Sequence, residues 1–286
     1  MRGPCVLLVF LVLAVCASAS GAGAKSDGLI AFWNDDPVPS IWAVRPDGSG
    51  RISLLHTSKN AKRPRLSPDR RWVAFDGAPR GKRAMSDFEV QIVRRDGSGL
   101  RRLTHSEAPN TDAQWSPDGA LLSFTRAPAF DWTKAWTWSI ARDGTHLRRI
   151  ARGQFGRWSP DGTKLALDTP TPTSQGDIFV VDADGSNRRL VLASPELDQP
   201  ADWSPDGSKI LFTRYDSNGP GSTVYVVNVD GTGLRKLARG LAGTWSPDGT
   251  QIVYTTDFPG RVFVMRSDGS HKRPVGRIVG AEPDWR

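Results

Sequence analysis

ADWSPDGSKILFTR, residues 201–214, reads as a short strand, a tight turn and a second strand, and most of it recurs along the chain. The turn chemistry explains the phrase. Proline presets φ at the second turn position, Ser and Asp hydrogen-bond their own backbone, and Gly accepts the positive φ that closes a hairpin. The phrase stands as LSPDR from Leu66 and as WSPDG from Trp115, Trp158, Trp203 and Trp245, and the chain ends on PDWR, which matches the ADW lead-in. A second phrase alternates with it: Asp47-Gly48, Asp96-Gly97, Asp143-Gly144, Asp184-Gly185, Asp230-Gly231 and Asp268-Gly269. These six copies recur at intervals of about 40 to 49 residues, the period of four-stranded propeller blades.

Each unit reads as four strands. In the fifth they are ADW (A), SKILFT (B), TVYVVNV (C) and LRKLA (D), rich in β-branched and aromatic residues and separated by Gly, Pro, Asp and Ser. Large side chains recur once per unit. Leu66, Trp115, Trp158, Trp203, Trp245 and Trp285 occupy one column, and Phe32, Phe75, Phe124, Leu167, Phe212 and Tyr254 end the B strands. Sheets arranged around an axis need such columns, because each can bury its faces only against its neighbours. The first unit starts directly on a B strand (LIAF) and the last copy stops on an A strand (EPDW). The expected fold is therefore an all-β, six-bladed β-propeller with four-stranded antiparallel blades over residues 27–286, closed by the C-terminal strand pairing in the first blade.

The pattern WSPDG…LLSF…DGSGLRRLT resembles the WD40-like propeller repeat of the TolB family, and the resemblance covers essentially all of residues 27–286. It implies an extracytoplasmic propeller with a protein-binding habit. TolB carries an additional α/β domain before its propeller, for which there is no room between the leading segment and Leu29.

That leading segment, residues 1–24, has Arg2, an apolar run from Val6 to Val15 and small residues offering cleavage at Ala17-Ser18-Ala19 or Ala22-Gly23-Ala24, the pattern of a secretory signal peptide. The run is shorter than the roughly 20 apolar residues of a spanning helix. Val15 before Cys16 is larger than lipoprotein signals favour, so lipid anchoring is not expected. Both cysteines, Cys5 and Cys16, fall in the segment, which leaves a mature chain with no disulfide in a secreted or periplasmic location. The net charge of +8 is spread over the D strands, at Arg101-Arg102, Arg148-Arg149, Arg188-Arg189, Arg235-Lys236 and Lys272-Arg273. Charges there discourage edge pairing, and their dispersal is unlike a nucleic-acid footprint.

Functional residues are sought where a unit departs from its column. The A-to-B and C-to-D connections are the repeated turns, so binding is expected on the opposite, variable face. Trp33 and Trp136 break their columns there and, with Phe130 and Trp132 in the same loop as Trp136, form a candidate exposed aromatic patch for a partner or a sugar; alternatively the loop buries its own aromatics. Arg65, Gln114, Arg157, Asp202 and Asp284 precede the bulky column and line a candidate channel for a peptide terminus, or else pair with one another. Metal signals are thin. DADGSN at residues 182–187 is a C-to-D turn rather than a calcium loop, no cofactor is expected, and a channel cation such as calcium stays open. For catalysis the candidates are His105 with Glu107 and Asp112, joined by His56 on the neighbouring blade, against the alternative of solvated loop residues. The expectation for function is a non-catalytic, monomeric scaffold binding a protein or peptide of the cell envelope, the alternative being a propeller hydrolase or lyase acting on a polysaccharide or peptide.

Overall fold

The structure is a computed structural model that describes residues 28–34, 40–55, 61–78, 85–128, 131–171, 174–216, 219, 221–256 and 260–286. The leading segment with Cys16, and also His56 and Phe130, lie outside the described residues.

The strands run β1 (Ile30–Asn34), β2 (Ser40–Val44), β3 (Ile52–Leu55), β4 (Lys62–Leu66), β5 (Trp72–Gly77), β6 (Glu89–Arg94), β7 (Arg101–Arg102), β8 (Asn110–Trp115), β9 (Leu121–Arg126), β10 (Trp136–Ala141), β11 (Arg148–Arg152) and β12 (Gln154–Trp158). They continue as β13 (Lys164–Thr171), β14 (Ser174–Asp182), β15 (Arg189–Leu192), β16 (Leu197–Trp203), β17 (Lys209–Tyr215), β18 (Ser222–Asn228), β19 (Arg235–Arg239), β20 (Leu241–Trp245), β21 (Gln251–Thr255), β22 (Arg261–Arg266), β23 (Arg273–Val279) and β24 (Ala281–Trp285). Consecutive strands pair antiparallel: β4 to β7, β8 to β11 and β20 to β23 each form a sheet, and β24 joins β1, β2 and β3, with Ile30 opposite Trp285. The β12–β15 and β16–β19 groups are linked into one sheet by a parallel pair, Gly176 opposite Leu197.

The turns follow their chemistry. In the WSPDG copies Ser116, Ser159, Ser204 and Ser246 donate Oγ–H to the Asp two residues on at 2.5–2.6 Å, and the glycine takes positive φ, as at Gly119 (68°). The LSPDR copy forces a non-glycine residue, Arg70, to φ 55°.

The apolar core lies between successive groups. Ala31, Ile41 and Leu54 meet Leu66, Val73 and Phe75; Val90 and Ile92 meet Trp115 and Phe124; Ile30, Phe32 and Trp285 meet Val253, Val262 and Val264. The last of these joins the first strands to β21 and β22, so β24 is held by its pairing with β1 and by the packing of Trp285. The A strands contact one another in sequence, β24 to β4, β4 to β8, β8 to β12, β12 to β16, β16 to β20 and β20 to β24. At the outer side the D strands expose their basic residues, several laid on aromatic rings: the Arg51 guanidinium is 4.0 Å from the Trp42 ring centroid and Arg188 is 3.8 Å from Phe179. Such stacking lets a cation cover apolar surface while its head meets water. Among the described residues no helix is long and apolar enough to cross a membrane.

Candidate functional site

The residues before the bulky column converge along the A strands, where they hold neighbouring groups together. Asp284 Oδ2 accepts the Leu66 N–H at 2.8 Å, Asp202 Oδ2 the Trp245 N–H at 2.9 Å and Thr244 Oγ1 the Trp285 N–H at 2.7 Å. Where the column carries arginine, the carbonyl takes over. The Trp115 and Trp203 indoles donate to the Arg65 and Arg157 carbonyls, both at 2.9 Å. Arg157 grips the Asp112 carboxylate with both terminal nitrogens, and Arg65 Nη2 lies 4.0 Å from it. Burial pushes the Asp112 carboxyl up, but the Arg157, Arg65 and Arg63 charges prevail and hold it below its ordinary value. Gln114 is buried with no partner for its Nε2. The channel candidates thus face one another, and Arg286 extends the set, 3.8 Å from Asp202 and 3.4 Å from Asp284.

The aromatic and catalytic candidates are distributed differently from the expectation. Trp33 is buried rather than exposed, because β24 covers the end of β1: its Nε1 donates to Glu282 Oε2 at 2.9 Å and Lys62 Nζ stands 4.7 Å from its ring centroid. Trp136 is half-buried under the Arg149 guanidinium, 4.1 Å from its centroid. Trp132 begins a short 3-10 turn, residues 132–134, whose Asp131 cap accepts the Thr133 N–H at 3.1 Å, and this indole faces a cavity. The three indoles therefore have three different surroundings and make no common patch. His105 and Glu107 are exposed between β7 and β8, whereas Asp112 sits inside β8 under Arg157, so that triad does not assemble: the strand begins at Asn110, and its bulge turns Asp112 inward. Among the described residues no group of three or more His, Cys, Asp or Glu is placed to hold a metal ion.

The cavity beside Trp132 measures about 630 Å³ and opens at the starting ends of the A strands, on the variable face. Its apolar wall is Trp132, Phe155, Pro170 and Leu197; its polar wall is Thr111, Thr133, Gln154, Gln175 and Gln199. Arg63 is the charged member of the lining, and its guanidinium is held by Asp76 at 3.2 Å and Glu282 at 3.1 Å. On the opposite face the WSPDG turns enclose a smaller space of about 260 Å³, walled by their Trp and Pro residues.

Local backbone geometry builds the larger cavity. Arg63, Asp112, Phe155 and Glu282, each three residues before the bulky column, have left-handed φ of 51–60° at bulges in β4, β8, β12 and β24. Side chains in this region cost strain, which persists where surrounding contacts over-determine it. At Asp112 and Phe155 a latch does so, and the same latch is made at Ala242, although not by the buried Thr255 hydroxyl: a residue near the end of a B strand accepts the N–H of the bulge residue in the next group. Asp76 Oδ2 takes the Asp112 N–H at 2.7 Å, Thr125 Oγ1 that of Phe155 at 2.9 Å and Thr213 Oγ1 that of Ala242 at 2.9 Å. For Asp168, which lies within β13 in the same column, the corresponding residue is Pro200, and proline has no N–H to give. Asp168 is fully buried with neither carboxyl oxygen hydrogen-bonded. Burial pushes it well above the usual carboxylate range; the nearby Gln154 backbone N–H opposes this without reaching hydrogen-bonding geometry. Gln154, Phe155, Gln199 and Asp168 were not among the sequence candidates, although the Pro200 interruption of the column was there to be read.

Residues 151–273 match the family model described as the TolB beta propeller domain. The "Tol-Pal system protein TolB" of Albidiferax ferrireducens is 43% identical over 68 residues, 23% of this chain and 15% of that protein, so the match spans a small part of the relative's length. TolB from Acinetobacter baumannii superposes with a TM-score of 0.77 at 18% identity, over 91% of this chain and 67% of that one. An oligogalacturonate lyase in complex with manganese superposes with a TM-score of 0.57 at 16% identity, over 88% of this chain and 74% of that one.

Proposed function

We propose that residues 27–286, similar in sequence and fold to the TolB β-propeller, form six blades in a closed ring, released from a signal peptide at 1–24, which acts in the periplasm or outside the cell as a monomeric, non-catalytic scaffold for a protein or peptide of the cell envelope. The pairing of β24 with β1 and the apolar contacts of β1 and β24 with β21 and β22 support ring closure. The observation that carries the binding reading is the open mouth on the variable face, where Trp132 and Phe155 project from fixed backbone beside a 630 Å³ cavity. Rigid strands presenting variable loops place recognition at such an end, and aromatic anchors beside a pocket carry a disproportionate share of binding energy.

The test is cross-linking of the mature chain in envelope extracts. A partner captured by wild type and lost in Phe155→Ala, but retained in Trp72→Ala on the far side of its blade, is expected. The competing reading is a propeller hydrolase or lyase, favoured by the fold likeness to the oligogalacturonate lyase. No captured partner, together with degradation of a polysaccharide or peptide panel by the purified chain, would replace the scaffold with that enzyme.

A further inference from the structure

We propose that the cavity walled by Trp132, Phe155 and the three amides Gln154, Gln175 and Gln199, with the unpartnered carboxyl of Asp168 beneath its floor, is a binding site for a neutral saccharide of one or two rings.

Size and wall chemistry point the same way. The 630 Å³ volume falls within the roughly 300–1,000 Å³ of small-molecule sites. A pyranose presents C–H groups on its faces and hydroxyls around its rim. Aromatic and aliphatic walls take the first, and primary amides, each with two donors and an acceptor, take the second. Charge narrows the class. The guanidinium of Arg63, which would attract an acidic sugar, is already shared between Asp76 and Glu282, and Asp168 lies nearby. A uronate carboxylate would have to break an existing ion pair of Arg63 to be held.

Asp168 is the second, independent observation. A buried polar group without a partner costs about 1–3 kcal/mol, and Asp168 is the carboxylate without one in a column where Asp76, Thr125 and Thr213 are satisfied and the Thr255 hydroxyl is not. Its surroundings connect it to the cavity: Gln154 lies opposite it in the sheet, and a Cβ on Gly176 would come within 3.0 Å of Asp168 Oδ2 and 2.7 Å of Leu197 Cδ1. The bare Cα of Gly176 thus lies against both the carboxyl and Leu197, a residue of the cavity wall. A shift of Leu197 opens the carboxyl to a ligand hydroxyl, from which one oxygen accepts a hydrogen bond while the protonated oxygen donates one to a second hydroxyl.

This inference goes beyond the scaffold reading and is tested without any protein partner. Isothermal titration of the purified chain is run with chitobiose, cellobiose and maltose, and with digalacturonate and trialanine as contrasts. At least one neutral disaccharide is expected to bind, with affinity falling roughly ten-fold or more in Trp132→Ala and in Asp168→Thr, the loss of a hydrogen bond or stacking contact. Asp168→Thr installs the residue that three other units carry at this place, and its melting temperature is read alongside; should it not fold, Asp168→Leu replaces it. The proposal is overturned by no neutral disaccharide binding at about 10 mM, by binding that both variants leave unchanged, or by digalacturonate or trialanine binding in preference.

Discussion

Replacing Asp168 by threonine should make the protein more stable at neutral pH, and increasingly so as pH rises. The fully buried carboxyl has no hydrogen-bond partner, and relief of one such group is worth about 1–3 kcal/mol. At about 2–4 °C per kcal/mol for a chain of this size, a 2 kcal/mol gain raises the melting temperature by about 4–8 °C. The pH dependence follows from linkage. Burial raises the folded pKa of Asp168 well above its ordinary value. Below the unfolded pKa both states are protonated and the group contributes no pH-dependent term. Above it the unfolded chain gives up its proton while the folded chain keeps it, so wild type loses stability by up to about 1.4 kcal/mol per pH unit until the folded pKa is passed. The variant lacks that loss, and its advantage grows from about pH 4 upward. Asp76, which burial pushes up to about 6 against the opposing charge of Arg63, titrates in both proteins and cancels in the difference. Urea denaturation of both proteins at several pH values between about 4.5 and 7.5 measures it. A variant less stable than wild type at neutral pH, or a difference that is flat with pH, would mean that Asp168 is ionised and held by a partner, and the reasoning would fail.

Other substitutions test other parts of the architecture. Trp285→Ala removes the largest fully buried side chain, which packs the last strand against Val253 and Val264, and should cost about 3–5 kcal/mol in denaturant titrations. Asp112→Ala strands the buried Arg157 guanidinium and should cost about 3–5 kcal/mol, with much of the loss recovered when Arg157→Leu is added. Gly185 has φ 93°, and a Cβ there would sit 2.1 Å from the Ile150 carbonyl oxygen of the preceding group, so Gly185→Ala should lower stability by about 2–4 kcal/mol. Arg70→Gly should do the reverse, gaining about 0.5–1 kcal/mol by relieving a left-handed φ at a turn that has glycine in its other copies.

Most of the strand pattern was legible because it is local. Ser-Pro-Asp-Gly specifies a turn through bonds spanning a few residues, as Ser159 Oγ to Asp161 and the Lys164 N–H to Ser159 Oγ show, and each copy repeats the instruction. The bulky column was legible for a related reason: a residue recurring once per unit must meet its counterpart's neighbours wherever the units stack. Exposure of particular aromatics was not legible. Trp33 looks like an intruder among Asp and Thr residues, but whether it is covered depends on Glu282, nearly the whole chain away in sequence. The acid near His105 misled for a similar reason. Asp112 is close to His105 along the chain, yet the strand and its bulge carry its carboxylate to Arg157 in the next unit.

The unpartnered carboxyl near the cavity was the least legible feature, because it is created by a mismatch between units rather than by any residue in one of them. Asp168 is ordinary in its column, where Asp76 plays the same part with full satisfaction, and Pro200 is ordinary as a residue at a strand bulge. Only their combination across the junction leaves a carboxyl without a donor. Repetition thus serves two purposes of different visibility: sameness of the units determines the scaffold and can be read along the chain, whereas a binding site arises where one unit fails to supply what its neighbour is built to receive. Where a latch is not made, as at Asp168 and at the buried Thr255 hydroxyl, the cost falls on that junction, and at Asp168 a ligand hydroxyl supplying the absent partner would recover it only when bound. That asymmetry is why occupancy of the cavity should raise the melting temperature of wild type more than that of the Asp168→Thr variant.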